Sequence, residues 1–194
     1  MEPPTDGKDP MKYADIDWLL KRPIHHIGYV VDDIPTAIDE WQQFGVGPFV
    51  VVQRIEFEEL HHAGEPCVFD HTAAFALYGG IGLELQQIFD AQPAAVAHGL
   101  GVGRSGNHVN HLAWACPDPQ AASERLVEAG LPQFLYAATG GIPVRQHYAP
   151  FLNHAIEIHG DSEAMHGMWE MIRSITEGWD GTDPIRIMEQ PRSE

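Results

Sequence analysis

The chain repeats one sequence pattern, and this repeat limits the folds it can adopt more than any other feature. The segment from His25 to Asp33 reads HHIGYVVDD, and the segment from Asn110 to Asp118, 85 positions later, reads NHLAWACPD. At this offset one histidine, the large apolar residues and the final aspartate coincide, and the agreement extends to Phe49 and Phe134. A repeat of this kind predicts two copies of one supersecondary unit that share a core.

Each copy predicts the element order β-α-β-β-β. The repeated segment alternates β-forming residues, as a half-buried strand does. Asp33 and Asp118 then stand where a helix N-cap belongs, with a proline in the first turn, and Gly45 and Gly130 stand where the helix ends. Three strand-like runs follow in each copy: Phe49–Glu56, Cys67–Tyr78 and Ile81–Phe89 in the first, and Gln133–Ala138, Ile142–Ala149 and His154–His159 in the second.

These elements predict an α+β fold in which the curved sheets of two βαβββ modules form one cavity. The predicted organisation is an N-terminal extension (1–23), a first module (24–90), a linker (91–107), a second module (108–160), and a C-terminal helix and tail (161–194). The helix is expected over 162–178, where Met165, Met168, Trp169, Ile172 and Ile175 recur at helical spacing. We interpret this stripe as a face packed on its own domain, with a dimer contact as the alternative, and we expect a homodimer.

The net charge of the chain excludes several classes of partner. Twenty-eight Asp and Glu against 11 Lys and Arg give a formal charge of −17, which leaves no electrostatic footprint for nucleic acid or an anionic membrane. No apolar run is long enough to span a bilayer, and the segment from Met1 to Pro10 is polar and acidic, unlike a signal peptide. Cys67 and Cys116 form no CxxC pair. We therefore expect a reduced, cytoplasmic protein whose partner is a small molecule.

Four residues at repeated positions are candidate metal ligands. Glu84 and Glu157 each lie between two aliphatic residues in the last strand of a copy, and strand alternation places each carboxylate on the face opposite those neighbours. A carboxylate in a dry core is costly without a partner. His26 and His111 occupy equivalent positions in the first strands, whereas His25 has the parity of the helix-covered face. Two histidines and two glutamates suit one divalent ion, such as Zn, Ni, Co, Mn or Fe, with positions left open for a substrate or water.

The segments HHIGYVVDD, GLELQQ, NHLAWACPD and HAIEIHG resemble the ligand-bearing strands of the vicinal oxygen chelate superfamily. That group includes glyoxalase I, methylmalonyl-CoA epimerase, extradiol dioxygenases, and the bleomycin and fosfomycin resistance proteins. The resemblance implies a metal that binds two neighbouring oxygens of a substrate and acts as a Lewis acid. It also implies that dioxygenases carry a non-ligand at the position of Glu84, whereas glyoxalase and epimerase types carry Glu or Gln there. Glu84 therefore favours proton transfer over oxygen activation.

We accordingly predict a divalent-metal-dependent isomerase, epimerase or lyase of glyoxalase-like type that stabilises an enolate of a small substrate. An extradiol-type dioxygenase is one alternative, and a non-catalytic ligand-binding protein of the resistance type is another. The resemblance implies that a ligand carboxylate can act as the base. Glu157 is the first candidate for this role, and Glu84, His71 and Glu65 are the further candidates.

The turn at Gly79-Gly80 predicts which residues share the face of Glu84. A tight hairpin at this point places Glu84 opposite Phe75 and puts Gln86 and His71 on the same face. Phe75 and Gln86 are therefore candidate substrate-binding residues, and His71 is a candidate acid or base at the rim of the cavity.

The second copy leaves its inward-facing residues open. Depending on the length of the turn after Pro150, either Tyr148 and Gln146 or His147 and Arg145 face the cavity. Tyr148 and Arg145 are candidate substrate-binding residues, and Arg145 suits a carboxylate or phosphate. A structural ion pair is the alternative for Arg145.

Overall fold

The sheet of this protein is built from two sets of strands that follow the repeat in the sequence. The computed structural model describes residues 13–190. The strands in this part of the chain are β1 (His26–Val30), β2 (Phe49–Val52), β3 (Glu59–His62), β4 (Glu65–Pro66), β5 (Val68–Tyr78), β6 (Ile81–Gln92), β7 (His108–Cys116), β8 (Gln133–Thr139), β9 (Ile142–Ala149), β10 (His154–Gly160) and β11 (Ile185–Ile187). The α-helices are α1 (Asp17–Leu20), α2 (Ile34–Gln42), α3 (Ala94–Gly99), α4 (Pro119–Glu128) and α5 (Glu163–Thr176).

The strands form one strongly curved sheet in the order β11-β2-β5-β6-β1-β7-β10-β9-β8-β3-β4. Each module supplies four neighbouring strands, and the two sets join where β1 and β7 pair antiparallel. Within each module the first strand pairs parallel with the last, β1 with β6 and β7 with β10. The predicted α+β fold with two βαβββ modules is confirmed, and both modules belong to one chain.

Helix caps explain why each module turns from its first strand into a helix. The side chains of Asp33 and Asp118 each accept a hydrogen bond from the backbone N–H three residues later. Gly45 and Gly130 follow the helices with φ of +78° and +82°, a left-handed conformation that favours glycine. The same local chemistry thus starts and ends both helices.

The two faces of the sheet have different partners. The aliphatic neighbours of Glu84 are buried against α2, and those of Glu157 are buried against α4. Since side chains alternate along a strand, both carboxylates point to the opposite, concave face. Helix packing on the outside therefore decides which side chains line the concave side.

Helix α5 covers part of this concave face. Met165, Trp169 and Ile172 are buried against β2 and β5 of the first module. The predicted apolar stripe therefore packs on the chain's own sheet, so it offers no support for a dimer contact, and the homodimer stays a prediction. None of the helices within residues 13–190 combines the length and apolar character needed to cross a bilayer.

Several segments differ from the expected organisation. The second strand ends at Val52 instead of Glu56, because Arg54 takes a positive φ of 49° that breaks the extended backbone. The chain then crosses to the second module, where β3 pairs antiparallel with β8. The predicted linker over 91–107 contains α3, and β11 pairs with β2. Residues 1–12 of the predicted extension and 191–194 of the predicted tail lie outside the described residues.

Candidate metal centre

The structure brings His26, Glu84, His111 and Glu157 together at the middle of the concave face. The Nε2 atoms of the two histidines are 3.0 Å apart. Each lies 3.3–3.5 Å from one oxygen of each glutamate, and all four side chains are buried. These separations suit ligands that each bind one ion at about 2.0–2.2 Å. Two imidazoles and two carboxylates are a donor set that fits a divalent metal.

Strand pairing explains why the four ligands converge. Gly28 on β1 is the partner of both Glu84 on β6 and His111 on β7, and Ala113 on β7 is the partner of both His26 and Glu157. A Cβ atom on Gly28 would lie 2.1 Å from Cε1 of His111, so the histidine ring occupies the space that a side chain would fill. Small residues at the seam between the modules thus make room for the ligands.

Hydrogen bonds orient both imidazoles. Asn110 donates from Nδ2 to the carbonyl of Leu100 at 2.6 Å, which turns its Oδ1 toward Nδ1 of His111 at 2.7 Å. The Nδ1 atom therefore carries the proton, and Nε2 presents its lone pair to the centre. Nδ1 of His26 lies 3.1 Å from Nδ1 of His25. Burial and the charge of His26 lower the pKa of His25 to about 3, so the ring of His25 is neutral. Its Nδ1 can therefore accept a hydrogen bond from a proton on Nδ1 of His26.

An amide also holds each carboxylate. Gln86 donates from Nε2 to Oε1 of Glu84, and Gln146 donates from Nε2 to Oε2 of Glu157, both at 2.9 Å. The Oε1 atoms of the two glutamines are buried and have no hydrogen-bond partner within the described residues. Each amide therefore orients one carboxylate and leaves one free acceptor in the site.

Without metal, the site carries protons on imidazole and none on carboxylate. Burial lowers the pKa of His26, but hydrogen bonds to Glu157 and Glu84 outweigh burial and raise it to about 9. Burial raises the pKa of Glu157, but the charge of His111 and the hydrogen bond to His26 lower it to about 2. The pKa of Glu84 is held well below its usual range by the same two histidines, against the effect of burial. Two ionised carboxylates thus make the site attractive to a cation.

Two further histidines lie beside His26. The ring of His159 lies 5.7 Å from that of His26, and the ring of His25 lies 4.5 Å from that of His159. The expectation that His25 faces the helix-covered side is wrong, because β1 begins only at His26 and strand alternation does not extend to its neighbour. His159 was not predicted, although its position two residues after Glu157 on the same strand indicates the same face.

A mostly apolar cavity of about 110 Å³ is lined in part by His26, Glu84 and Glu157. The predicted hairpin register is confirmed, since Phe75 lies opposite Glu84, and Phe75, Gln86 and His71 all line this cavity. His71 is buried instead of lying at a solvated rim; burial lowers its pKa to about 4, and the charge of Glu84 offsets this only in part. The remaining walls are formed mainly by Ile55, Phe57, Phe69, Leu135, Ala137, Ile142, Val144, Met165, Met168 and Trp169.

Three of the predicted site residues lie away from this cavity. Tyr148 shares the face of Gln146 on β9, but its hydroxyl bonds to Nε2 of His98 at 2.7 Å, beside α3. Arg145 is on the opposite face of β9, where it donates to Gln120 at 2.9 Å and lines a separate, open cleft of about 770 Å³. Glu65 is exposed on β4, at the far edge of the sheet. The positions of Tyr148 and Arg145 depend on the length of the turn between β9 and β10, and that of Glu65 depends on the pairing of β3 with β8. No pattern in the neighbouring sequence indicates either.

The comparisons with known proteins agree with this fold. Solved structures similar to the chain include a hypothetical protein from Bacillus halodurans, at 14% identity and a TM-score of 0.51, covering 74% of this chain and 96% of that one. Methylmalonyl-CoA epimerase from Mycobacterium tuberculosis matches at 15% identity and a TM-score of 0.47, covering 74% and 91%. A search of curated proteins finds no match. A family model matches residues 25–145, more than half of the chain, and the protein therefore belongs to the glyoxalase/bleomycin resistance protein/dioxygenase superfamily.

Proposed function

We propose that this protein is a divalent-metal-dependent isomerase, epimerase or lyase that converts a small substrate through an enolate. The observation that carries the proposal is the carboxylate of Glu84 at the fourth position, within 3.5 Å of both histidines. His26, Glu84, His111 and Glu157 would hold one ion of Zn, Ni, Co, Mn or Fe. When bound, the metal would act as a Lewis acid that makes a C–H bond next to a carbonyl more acidic.

Glu157 is the residue that we assign as the base. Its Oε1 lies 3.3 Å from His26 and its Oε2 lies 3.5 Å from His111, so its two oxygens face different histidines. Glu84 instead presents the same oxygen, Oε2, to both. One oxygen of Glu157 can therefore keep its place while the other accepts a proton from the substrate. The amide of Gln146 holds the carboxylate in position during this movement.

His71 is the second residue that could move a proton. It is buried in the wall of the cavity, and its Nδ1 has no partner within residues 13–190. Its lowered pKa keeps it neutral near pH 7, which is the form that can accept a proton. Glu65 has no role in this proposal, because its exposed side chain does not line the cavity.

Hydrogen exchange with solvent tests the proposal. We would incubate Zn- or Co-loaded protein with 2-hydroxyacetophenone in D2O and follow the methylene protons by NMR. An enolate mechanism predicts that the protein accelerates deuterium uptake there, and that Glu157→Gln slows uptake more than it weakens metal binding. Glu163→Gln, an exposed acid at the start of α5, is the matched control and should leave the rate unchanged.

Two other outcomes would contradict the proposal. Consumption of O2 by the Fe-loaded protein with a catechol, without any exchange, would assign the protein to the dioxygenases. Ligand binding without exchange or O2 consumption would assign it to the non-catalytic members.

A further inference from the structure

The part of the cavity lining that the structure describes contains no lysine or arginine that could receive an anion. The ionisable side chains that line it are those of His26, His71, Glu84 and Glu157. Arg145 on β9 lies on the other face of the sheet, where it donates to Gln120.

The charge balance of the centre disfavours a negatively charged substrate. When they hold a divalent ion, the two glutamates would be carboxylates and the two histidines neutral, so the ligands would already balance the charge of the ion. A substrate carboxylate or phosphate would add a negative charge that has no counter-ion. Burying such an unpaired charge in a low-dielectric site costs binding free energy. An uncharged substrate adds no such cost.

The free polar atoms of the site call for a hydrogen-bond donor. Gln86 and Gln146 each donate through Nε2 to a glutamate, which leaves the buried Oε1 of each without a partner. A hydroxyl group on the substrate would satisfy such an acceptor, whereas a carboxylate would place acceptor against acceptor.

The remaining walls limit the size and polarity of the substrate. Phe75 and Trp169 meet edge to face at 6.0 Å, and Leu135, Ile142 and Val144 also line the cavity. The volume of about 110 Å³ is of the same order as that of the apolar cavity, about 150 Å³, in which benzene binds to another protein. One ring or one branched alkyl group is therefore the largest substituent that suits the site.

We propose that the site binds an uncharged α-hydroxyketone that carries one small aromatic or branched aliphatic group, and that it rejects carboxylates of the same shape. This inference rests on the proposed function, because it uses the same metal centre and cavity. It goes further by naming the class of substrate and the residues that select it.

Binding of two matched probes to the Co-loaded protein tests the inference. 2-Hydroxyacetophenone and phenylglyoxylate share a phenyl ring and two neighbouring oxygens and differ in charge. We expect the neutral probe to change the visible spectrum of the bound Co(II) and to bind about tenfold or more tightly than the anion by calorimetry. Equal or tighter binding of phenylglyoxylate would overturn the inference.

A cation placed in the wall should reverse this preference. Val144→Lys puts an ammonium group beside the cavity, and we expect it to improve binding of phenylglyoxylate relative to the hydroxyketone by about tenfold. Ile187→Lys adds the same charge on the exposed strand β11 and should change neither affinity. Ile142→Lys, at another half-buried wall position, repeats the test if Val144→Lys does not fold. An unchanged ratio in a folded wall variant would contradict the inference.

These readouts separate this inference from the proposed function. Selective binding of the neutral probe without deuterium exchange would contradict the proposed chemistry and support the substrate class. Exchange together with preferred binding of the carboxylate would do the reverse.

Discussion

The first and second modules place the same pair of ligands on equivalent strands, but they surround that pair with different residues. In the first module the residue opposite Glu84 is Phe75, and the glutamine that holds the carboxylate is Gln86 on the same strand. In the second module the residue opposite Glu157 is the glutamine itself, Gln146. Both modules thus contribute one histidine and one glutamate to the candidate metal centre, whereas the residues around that pair differ.

The support behind the two histidines differs in the same way. Nδ1 of His111 is hydrogen-bonded to the side-chain amide of Asn110, and this amide in turn donates to a buried backbone carbonyl. Behind His26 stands the half-buried ring of His25, with His159 nearby. The second module thus holds its histidine through a fixed, dry hydrogen bond, and the first module holds its histidine through a group that water can replace.

Loss of one histidine ligand should have the largest effect. His111→Ala removes a fully buried ligand that contacts both glutamates, so we expect the variant to lose most of its bound metal. Elemental analysis after dialysis measures this loss. Glu65→Gln, an exposed position on β4, is the control and should retain the metal. Full retention in His111→Ala would refute the assignment of the ligands.

Metal affinity should rise with pH. Burial lowers the pKa of His26, but hydrogen bonds to Glu157 and Glu84 outweigh burial and raise this pKa to about 9. Below that pH the metal-free site therefore carries a proton that the metal must displace. Affinity should increase about tenfold per pH unit as the pH rises toward this value, and level off above it. Competition with a chelator from pH 6.5 to 9.5 measures the slope. A flat profile would contradict the raised pKa.

The two supporting groups should differ in their effect on affinity. Asn110→Ala leaves Nδ1 of His111 without its buried acceptor, and we expect a loss of metal affinity of about 10- to 100-fold. His25→Ala removes a half-buried partner of His26 that water can replace, so we expect a loss near or below the low end of that range. Chelator competition compares both variants. A larger loss in His25→Ala would reverse the comparison between the modules.

Where β1 pairs with β7, the two small residues Gly28 and Ala113 should respond differently to a change of one methyl group. Gly28→Ala drives a Cβ into the ring of His111, and we expect it to lower the free energy of unfolding by about 1–3 kcal/mol. Ala113, the partner of His26, already carries a Cβ, and Ala113→Gly should cost only about 0.5–1 kcal/mol. Urea denaturation measures both values. A cost for Gly28→Ala no larger than that for Ala113→Gly would contradict the close approach of the His111 ring to Gly28.

Much of the fold and of the ligand set could be predicted because the signals are local or repeated. The caps at Asp33 and Asp118 act within one helical turn. The turn at Gly79-Gly80 sets the register between β5 and β6, the two strands that it joins. Alternation along β6 and β10 then places Glu84 and Glu157 on the concave face. These interactions involve residues a few positions apart, so their outcome can be read from a short stretch of chain.

Other parts of the site depend on elements that meet only in three dimensions. The length of the turn between β9 and β10 puts Gln146 in the cavity and Arg145 outside it, and the start of β1 at His26 frees His25 to lie beside His159. The packing of α5 brings Trp169 into the wall. The sequence by itself determined the modules and the shared face of their four candidate ligands, because alternation and caps are local. Only the tertiary structure decided the walls and the support of the ligands, because these depend on where distant segments come to rest against one another.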